Sequence, residues 1–201
     1  MPVLQKILFE DALNEKGIRI KNIQIDIKNG KCYNDNIEYP IIFPEKYLTK
    51  INKLDKTKTI DYNFKGRYME CREWIKKFRN IYFTEDGQKL ETNEYYFDES
   101  YYKLLCNSKF TLCPAGCCCV NTSFSKEEDR TCKNPKTCCL WSYRFFEACM
   151  CDSIPIIENL ESIHESMHGF KFYFSNEEHI YRQDWVDRNR ELFIERHILC
   201  L

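Results

Sequence analysis

Glycine and proline are scarce, six of each in 201 residues, about half the ~12% combined share of an average chain. That excludes a collagen-like repeat and long flexible linkers. Charge of one sign is also lacking. Thirty Lys and Arg against 31 Asp and Glu leave a net charge of -1, so no basic field draws nucleic acid or an anionic membrane. An anionic ligand must then be met by a local group of residues. No apolar run approaches the ~18–20 residues that span a bilayer. The start, MPVLQKILFEDALNEK, places Glu10 and Asp11 where a secretory signal needs uninterrupted apolar residues. No membrane segment and no leader are read, and a cytoplasmic setting is expected.

Cysteine is abundant, at 13 residues. Seven of them (Cys113, Cys117, Cys118, Cys119, Cys132, Cys138, Cys139) fall within one 27-residue stretch. Thirteen is odd, so a monomer cannot pair them all. The six scattered ones read as small buried hydrophobes. Hydrophobic residues at 43%, aromatics at 15% and charged residues at 30% are globular proportions.

The first ~55 residues hold an amphipathic start (Leu4, Ile7, Leu8, Ala12) and an alternating run, Ile18, Ile20, Ile23, Ile25 and Ile27, that suits a strand pair. Turn signals follow at Asn29-Gly30 and Asn34-Asp35-Asn36, then a short extended piece from Tyr39 to Pro44. Lys50 to Lys58 reads as a solvated connection, with a boundary near residue 56. Beyond it strands and helices alternate. Strands are expected at 59–64, 81–83, 110–113, 154–157 and 170–174, and helices at 69–79, 101–106, 142–151 and 176–199. That alternation predicts an α/β fold, a Rossmann-like parallel sheet with helices on both faces, behind a small amino-terminal region.

The most informative segment is Trp141-Ser142-Tyr143-Arg144-Phe145-Phe146-Glu147-Ala148, followed by Ser153-Ile154-Pro155-Ile156-Ile157. Ser142 can cap the helix through its hydroxyl. Phe146, Cys149 and Met150 should face the sheet, and Arg144 and Glu147, at i and i+3, share another face. An Arg beside free helix amides is a diphosphate receptor, and a Glu one turn on can accept from ribose hydroxyls. The plain alternative is a surface ion pair worth ~0.3 kcal/mol.

The order of three pieces resembles the donor-binding half of exostosin-like glycosyltransferases, glycosyltransferase family 47. They are Ser108-Lys109-Phe110-Thr111-Leu112-Cys113-Pro114-Ala115-Gly116, the Trp141–Ala148 helix and the Ser153–Ile157 strand. They match the family's "SKFCLCPxG", "WSxRxxEA" and "xxPVI" over roughly residues 56–201. The resemblance implies a GT-B fold whose carboxyl-terminal half holds a nucleoside-diphosphate sugar with no obligatory metal, for transfer to a glycan or glycoprotein acceptor. It implies that Arg144 holds the phosphates, Ser142 sits at the phosphate-facing helix end and Glu147 binds the ribose. Gly66 and Arg67 look like the family's Gly-Arg turn after the first donor-domain strand. Small members of this kind occur in large DNA viruses, which the abundance of Lys, Asn, Ile and Tyr fits. Here 24 residues, Cys117 to Leu140, separate the loop from the helix. On this resemblance the region 1–55 is expected to be a reduced acceptor side, since two full halves need on the order of 300 residues. Among its acids, Glu10, Asp11 and Asp26, no catalytic base stands out.

Two other signals compete. His164-Glu165-Ser166-Met167-His168 matches H-E-x-x-H, in which two His one helical turn apart bind zinc. Glu177, Glu178 or His179 would supply a third ligand. The cysteine-rich insert 117–140 contains no C-x2-C pair and does not indicate a zinc ribbon, yet it leaves open disulfides, a thiolate cluster or free thiols. A non-catalytic binding module built around that insert is therefore the alternative to a transferase, and an HExxH zinc hydrolase the third reading. Tyr95-Tyr96-Phe97 and Tyr101-Tyr102 read as core, or as a stacking surface for a sugar or base, and Trp185 and Phe193 as packing.

Overall fold

The computed structural model describes residues 3–26, 29–67, 70–79, 81–84, 97–115, 141–158 and 163–198. The amino-terminal part consists of α1 (Val3–Glu15), the strands β1 (Ile23–Asp26), β2 (Lys31–Asn34) and β3 (Ile37–Pro40), and α2 (Glu45–Ile51). Then follow β4 (Ile60–Arg67), a 3-10 helix (Glu70–Lys77), β5 (Ile81–Thr84), α3 (Glu99–Cys106), β6 (Ser108–Leu112), α4 (Tyr143–Met150), β7 (Ile154–Ile157), β8 (Tyr173–Phe174) and α5 (Gln183–His197). The expected α/β architecture is present. Five strands form one sheet in the order β5-β4-β6-β7-β8, every pair parallel, with helices packed against it in a Rossmann-like arrangement. No helix among the described residues is long and apolar enough to cross a membrane.

Side chains alternate along each strand, and the two sheet faces receive different residues. Phe64, Phe110, Leu112, Ile154 and Ile156 pack on one face against Ile75 of the 3-10 helix and Val186 of α5. Asn63, Thr111 and Ser153, of the opposite parity, form a buried row. Asn63 Nδ2 donates to Thr111 Oγ1 at 2.8 Å, and the Thr111 and Ser153 hydroxyls meet at 2.8 Å. Cys113 and Ile157 join the larger core with Phe145, Phe146, Cys149 and Met150 of α4.

That larger core also takes in Leu8, Phe9, Leu13, Ile41, Phe43, Tyr47 and Ile51 from the first 55 residues. Phe43 bridges Ile198, and its amide donates to His197 O at 2.7 Å. Of the six scattered cysteines, Cys32, Cys106, Cys149 and Cys151 are buried free thiols, as is Cys113 of the cluster, and burial pushes the Cys32 thiol up to about 12.

Several elements depart from expectation. Among the described residues of the alternating isoleucine run, Ile23–Asp26 forms a strand, in an antiparallel meander with β2 and β3, while Ile18 and Ile20 lie outside it. The Lys50–Lys58 connection is not wholly solvated. Pro44, at φ -63°, opens α2, Tyr47 and Ile51 bury one helical face, and Lys58 Nζ turns inward to Cys106 O at 2.5 Å. The 69–79 helix is a 3-10 helix, strand 170–174 shortens to two residues, and the last helix begins at Gln183 rather than 176.

Candidate functional site

Counted from β4, the sheet runs in the order 2-1-3-4-5. The chain leaves β4 toward β5 on one side, while β6 lies on its other side. Connections from the carboxyl ends of β4 and β6 therefore diverge and leave a crevice between them. Open α/β sheets bind ligands at such a switch point. Gly66 lies near the end of β4, and α4, which follows β6, begins there as well.

Phe145, Phe146, Cys149 and Met150, all buried, anchor α4 and fix the direction of Arg144 on its first turn. The guanidinium donates from Nη2 to Lys65 O at 2.6 Å and from Nε to the Tyr101 hydroxyl at 3.3 Å. It lies 4.4 Å from the Phe64 ring centre and 5.9 Å from that of Tyr101, both cation–π distances. This seat exists because residue 66 has no side chain. A Cβ there would stand 3.0 Å from Arg144 Nη2 and 3.2 Å from Phe64 Cζ. The structure thus brings together Gly66 and Arg144, two of the residues singled out from sequence. Arg67 closes β4 opposite Thr84, and its side chain lies outside the described residues.

Glu147 shares the helix with Arg144 but not an open face. It is 7% exposed, which corrects the picture of a surface ion pair. The Tyr101 hydroxyl donates to its Oε2 at 2.7 Å and the Tyr102 hydroxyl to its Oε1 at 3.3 Å. Tyr101 therefore stands between the acid and Arg144. Burial holds the Glu147 carboxyl above the ordinary range, against the pull of the tyrosine hydroxyls and Arg144. A raised carboxyl favours the folded state most at low pH, and that contribution is lost as pH rises through the folded value. Glu147→Ala strands two buried hydroxyls beside a cavity and is expected to cost about 2–4 kcal/mol. Glu147→Gln should cost less and should remove this site's pH dependence. Urea unfolding at pH 4 and pH 7 measures both.

Ser142 occupies the N-cap position of α4, yet its hydroxyl makes no capping bond. The expected cap is absent, and this buried oxygen has no partner among the described residues. Phe145 N turns back on Ser142 O at 3.0 Å, and the Tyr143 and Arg144 amides before it have no acceptor within the helix. An unpartnered hydroxyl, two amides and a fixed guanidinium thus belong to one helix end, the donor types that an anion site uses. Lys65 Nζ lies 3.5 Å from Asp98 and 3.3 Å from the Ser100 hydroxyl.

Sequence reasoning missed Tyr101 and Tyr102 as polar parts of this site. Of the nearby aromatics singled out, Phe97 stacks on Tyr102 at 4.7 Å, and positions 95–96 lie outside the described residues. The three acids weighed as a base are engaged elsewhere. Glu10 pairs with Lys6 at 3.5 Å, Asp11 pairs with Lys46 at 2.8 Å, and Asp26 accepts from Asn29 in the hairpin turn.

The H-E-x-x-H segment does not form an α-helix. His164 caps a three-residue 3-10 turn, Glu165–Met167, its Nδ1 accepting from Ser166 N, and His168 leaves the turn in extended conformation. The two imidazoles lack the one-turn helical spacing that the zinc motif requires. His164 instead packs under the β1–β2 turn, where a Cβ on Gly30 would lie 2.9 Å from its Cε1. Of the candidate third ligands, Glu177 accepts from Phe174 N, and His179 bonds Phe174 O and Tyr62. No group of three metal-ligating side chains occurs among the described residues. The cysteine-rich insert 117–140 lies outside them.

In comparisons with known proteins, no family model and no curated protein matches this chain.

Proposed function

We propose that this chain is a glycosyltransferase, or the donor-binding part of one with the GT-B arrangement, that moves a sugar from a nucleoside diphosphate to a glycan or glycoprotein. The observation that carries the reading is the seat of Arg144 against the Lys65 carbonyl over Gly66, at the switch point of a parallel sheet. In this reading Arg144 and the α4 amides meet the diphosphate charge, the Ser142 hydroxyl donates to a phosphate oxygen, and bare Gly66 leaves the room that the Arg144 guanidinium fills. A ribose contact at Glu147 would have to reach a carboxylate already buried under two tyrosines. The role its surroundings support is to hold Tyr101, and through it Arg144.

A thermal-shift titration of wild type and Arg144→Ala with UDP and GDP tests the reading. A ligand at 100 times its Kd adds about 2.7 kcal/mol, a rise of several degrees for a chain of this length. One nucleotide should stabilise the wild type, and the variant should lose the response. If neither nucleotide shifts the wild type while a chelator or reductant does, the transferase reading fails. The binding module built on the cysteine insert then replaces it.

A further inference from the structure

The carboxyl edge of the sheet carries one acid that neither the sequence pattern nor the site above absorbs. Glu158 immediately follows β7, whose end is clasped from both sides. Cys113 N donates to Ile156 O at 2.7 Å, and Ser175 N donates to Ile157 O at 2.8 Å. Among the described residues, the other acids along this edge are committed or, like Glu178, exposed. Asp98 caps α3 and meets Lys65, Glu147 accepts from two tyrosines, and Glu177 accepts from Phe174 N. Glu158 is half-buried, and its carboxylate has no hydrogen-bond or ion-pair partner among the described residues. Burial raises its carboxyl above the ordinary range. An acceptor removed from water without donors is unfavourable in the empty protein, and a ligand that brings donors reverses that penalty.

We propose that Glu158 receives the hydroxyl groups of the transferred sugar. This rests on the donor-site reading. Helix α4 leads from β6 to β7, so its amino terminus stands over the end of β6. Glu158 lies one strand further along the same edge, a step of ~4.8 Å. A sugar carried on the outer phosphate of a diphosphate seated at α4 extends toward that step. A carboxylate offers two oxygens with about four lone-pair sites, and two neighbouring ring hydroxyls match them. Charged acceptors make strong hydrogen bonds to hydroxyls, and a site built to pair a hydroxyl discriminates against analogues that lack it. Glu158 is thus a specificity residue for the sugar and takes no part in holding the nucleotide.

The test compares UDP and GDP with UDP-glucose and GDP-mannose by titration calorimetry on wild type, Glu158→Ala and Glu158→Gln. Both variants should fold, since the change removes an unpartnered half-buried acid, and melting of the unliganded proteins checks this. The wild type should bind a sugar conjugate more tightly than its bare nucleotide. Both variants should bind the bare nucleotide as the wild type does and lose the conjugate's advantage, about tenfold in affinity. Retention of that advantage in Glu158→Ala overturns the assignment, as does a wild type that binds nucleotide but gains nothing from the sugar. Equal loss of bare-nucleotide binding also overturns it. If the wild type binds neither nucleotide nor conjugate, the donor-site reading itself has failed and Glu158 loses its role with it.

Discussion

Gly66→Ala is expected to weaken nucleotide binding by about 10- to 100-fold, the equivalent of ~1.4–2.7 kcal/mol. The added methyl would sit 3.0 Å from Arg144 Nη2 and 3.2 Å from Phe64 Cζ. Phe64 is fully buried, so its ring cannot retreat without disturbing the core under β4. Arg144 must move instead, giving up the Lys65 carbonyl and its place over the ring. Overpacking of this kind costs roughly 1–3 kcal/mol of stability, which leaves a folded protein to assay. Calorimetric titration of Gly66→Ala, Arg144→Ala and the double variant supplies a check beyond the single losses. Because both changes remove one arrangement, their effects should be far from additive. Additive losses, or undiminished binding by Gly66→Ala, would separate the glycine from the arginine and leave the seat without function.

Acidification from pH 7 to pH 4 should destabilise the protein by about 3 kcal/mol through His197 alone. Its Nδ1 bonds Ile41 O at 2.7 Å, and its Nε2 is buried without a partner among the described residues. The ring lies 4.1 Å from Phe146 and 5.7 Å from Phe193, centre to centre. A second proton would have no acceptor there, and burial lowers the imidazole to about 4. The unfolded chain binds that proton near the ordinary value of 6.5 and the folded chain near 4. Stability is therefore full above pH 6.5 and falls as pH drops through this window. Glu147, raised rather than lowered, works in the opposite sense. His197→Asn keeps a donor for Ile41 O but cannot titrate. It should start lower, having lost the ring contacts, and vary less between pH 7 and pH 4 in urea unfolding. An unchanged slope in the variant would assign the acid sensitivity elsewhere. This contact also joins the end of α5 to the chain before α2, so acid should loosen the amino-terminal part's attachment to α5.

The sheet was legible where the pattern is strongest. Phe110-Thr111-Leu112 and Ile154–Ile157 are short apolar runs between turn signals, and they form the central strands β6 and β7. The start of α4 is legible to within one residue, and the sequence marks Gly66 and Arg144 without showing that they meet. Burial of Glu147 was not legible. An i, i+3 spacing puts two residues on one helical face but does not say that Tyr101 and Tyr102 of α3 will cover half of it. The inward turn of Lys58 escaped for a similar reason, because its acceptors are the carbonyls of Cys106 and Cys151. Those lie far along the chain and meet only through tertiary packing. The late start of α5 reflects tertiary competition as well. His179 accepts a place among Tyr62, Phe78, Phe110 and Tyr173, which holds the preceding segment outside the helix. Glu158 has no signal in the sequence, since its lack of a partner among the described residues is a property of three-dimensional placement.

The most direct measurement is a crystal structure of the protein grown with UDP or GDP, whichever stabilises it. The account predicts a diphosphate at the amino terminus of α4, with phosphate oxygens within hydrogen-bond distance of the Ser142 hydroxyl and of an Arg144 guanidinium that keeps its seat over Gly66. A nucleotide bound at any other place, or this crevice filled while Arg144 makes no phosphate contact, would contradict it.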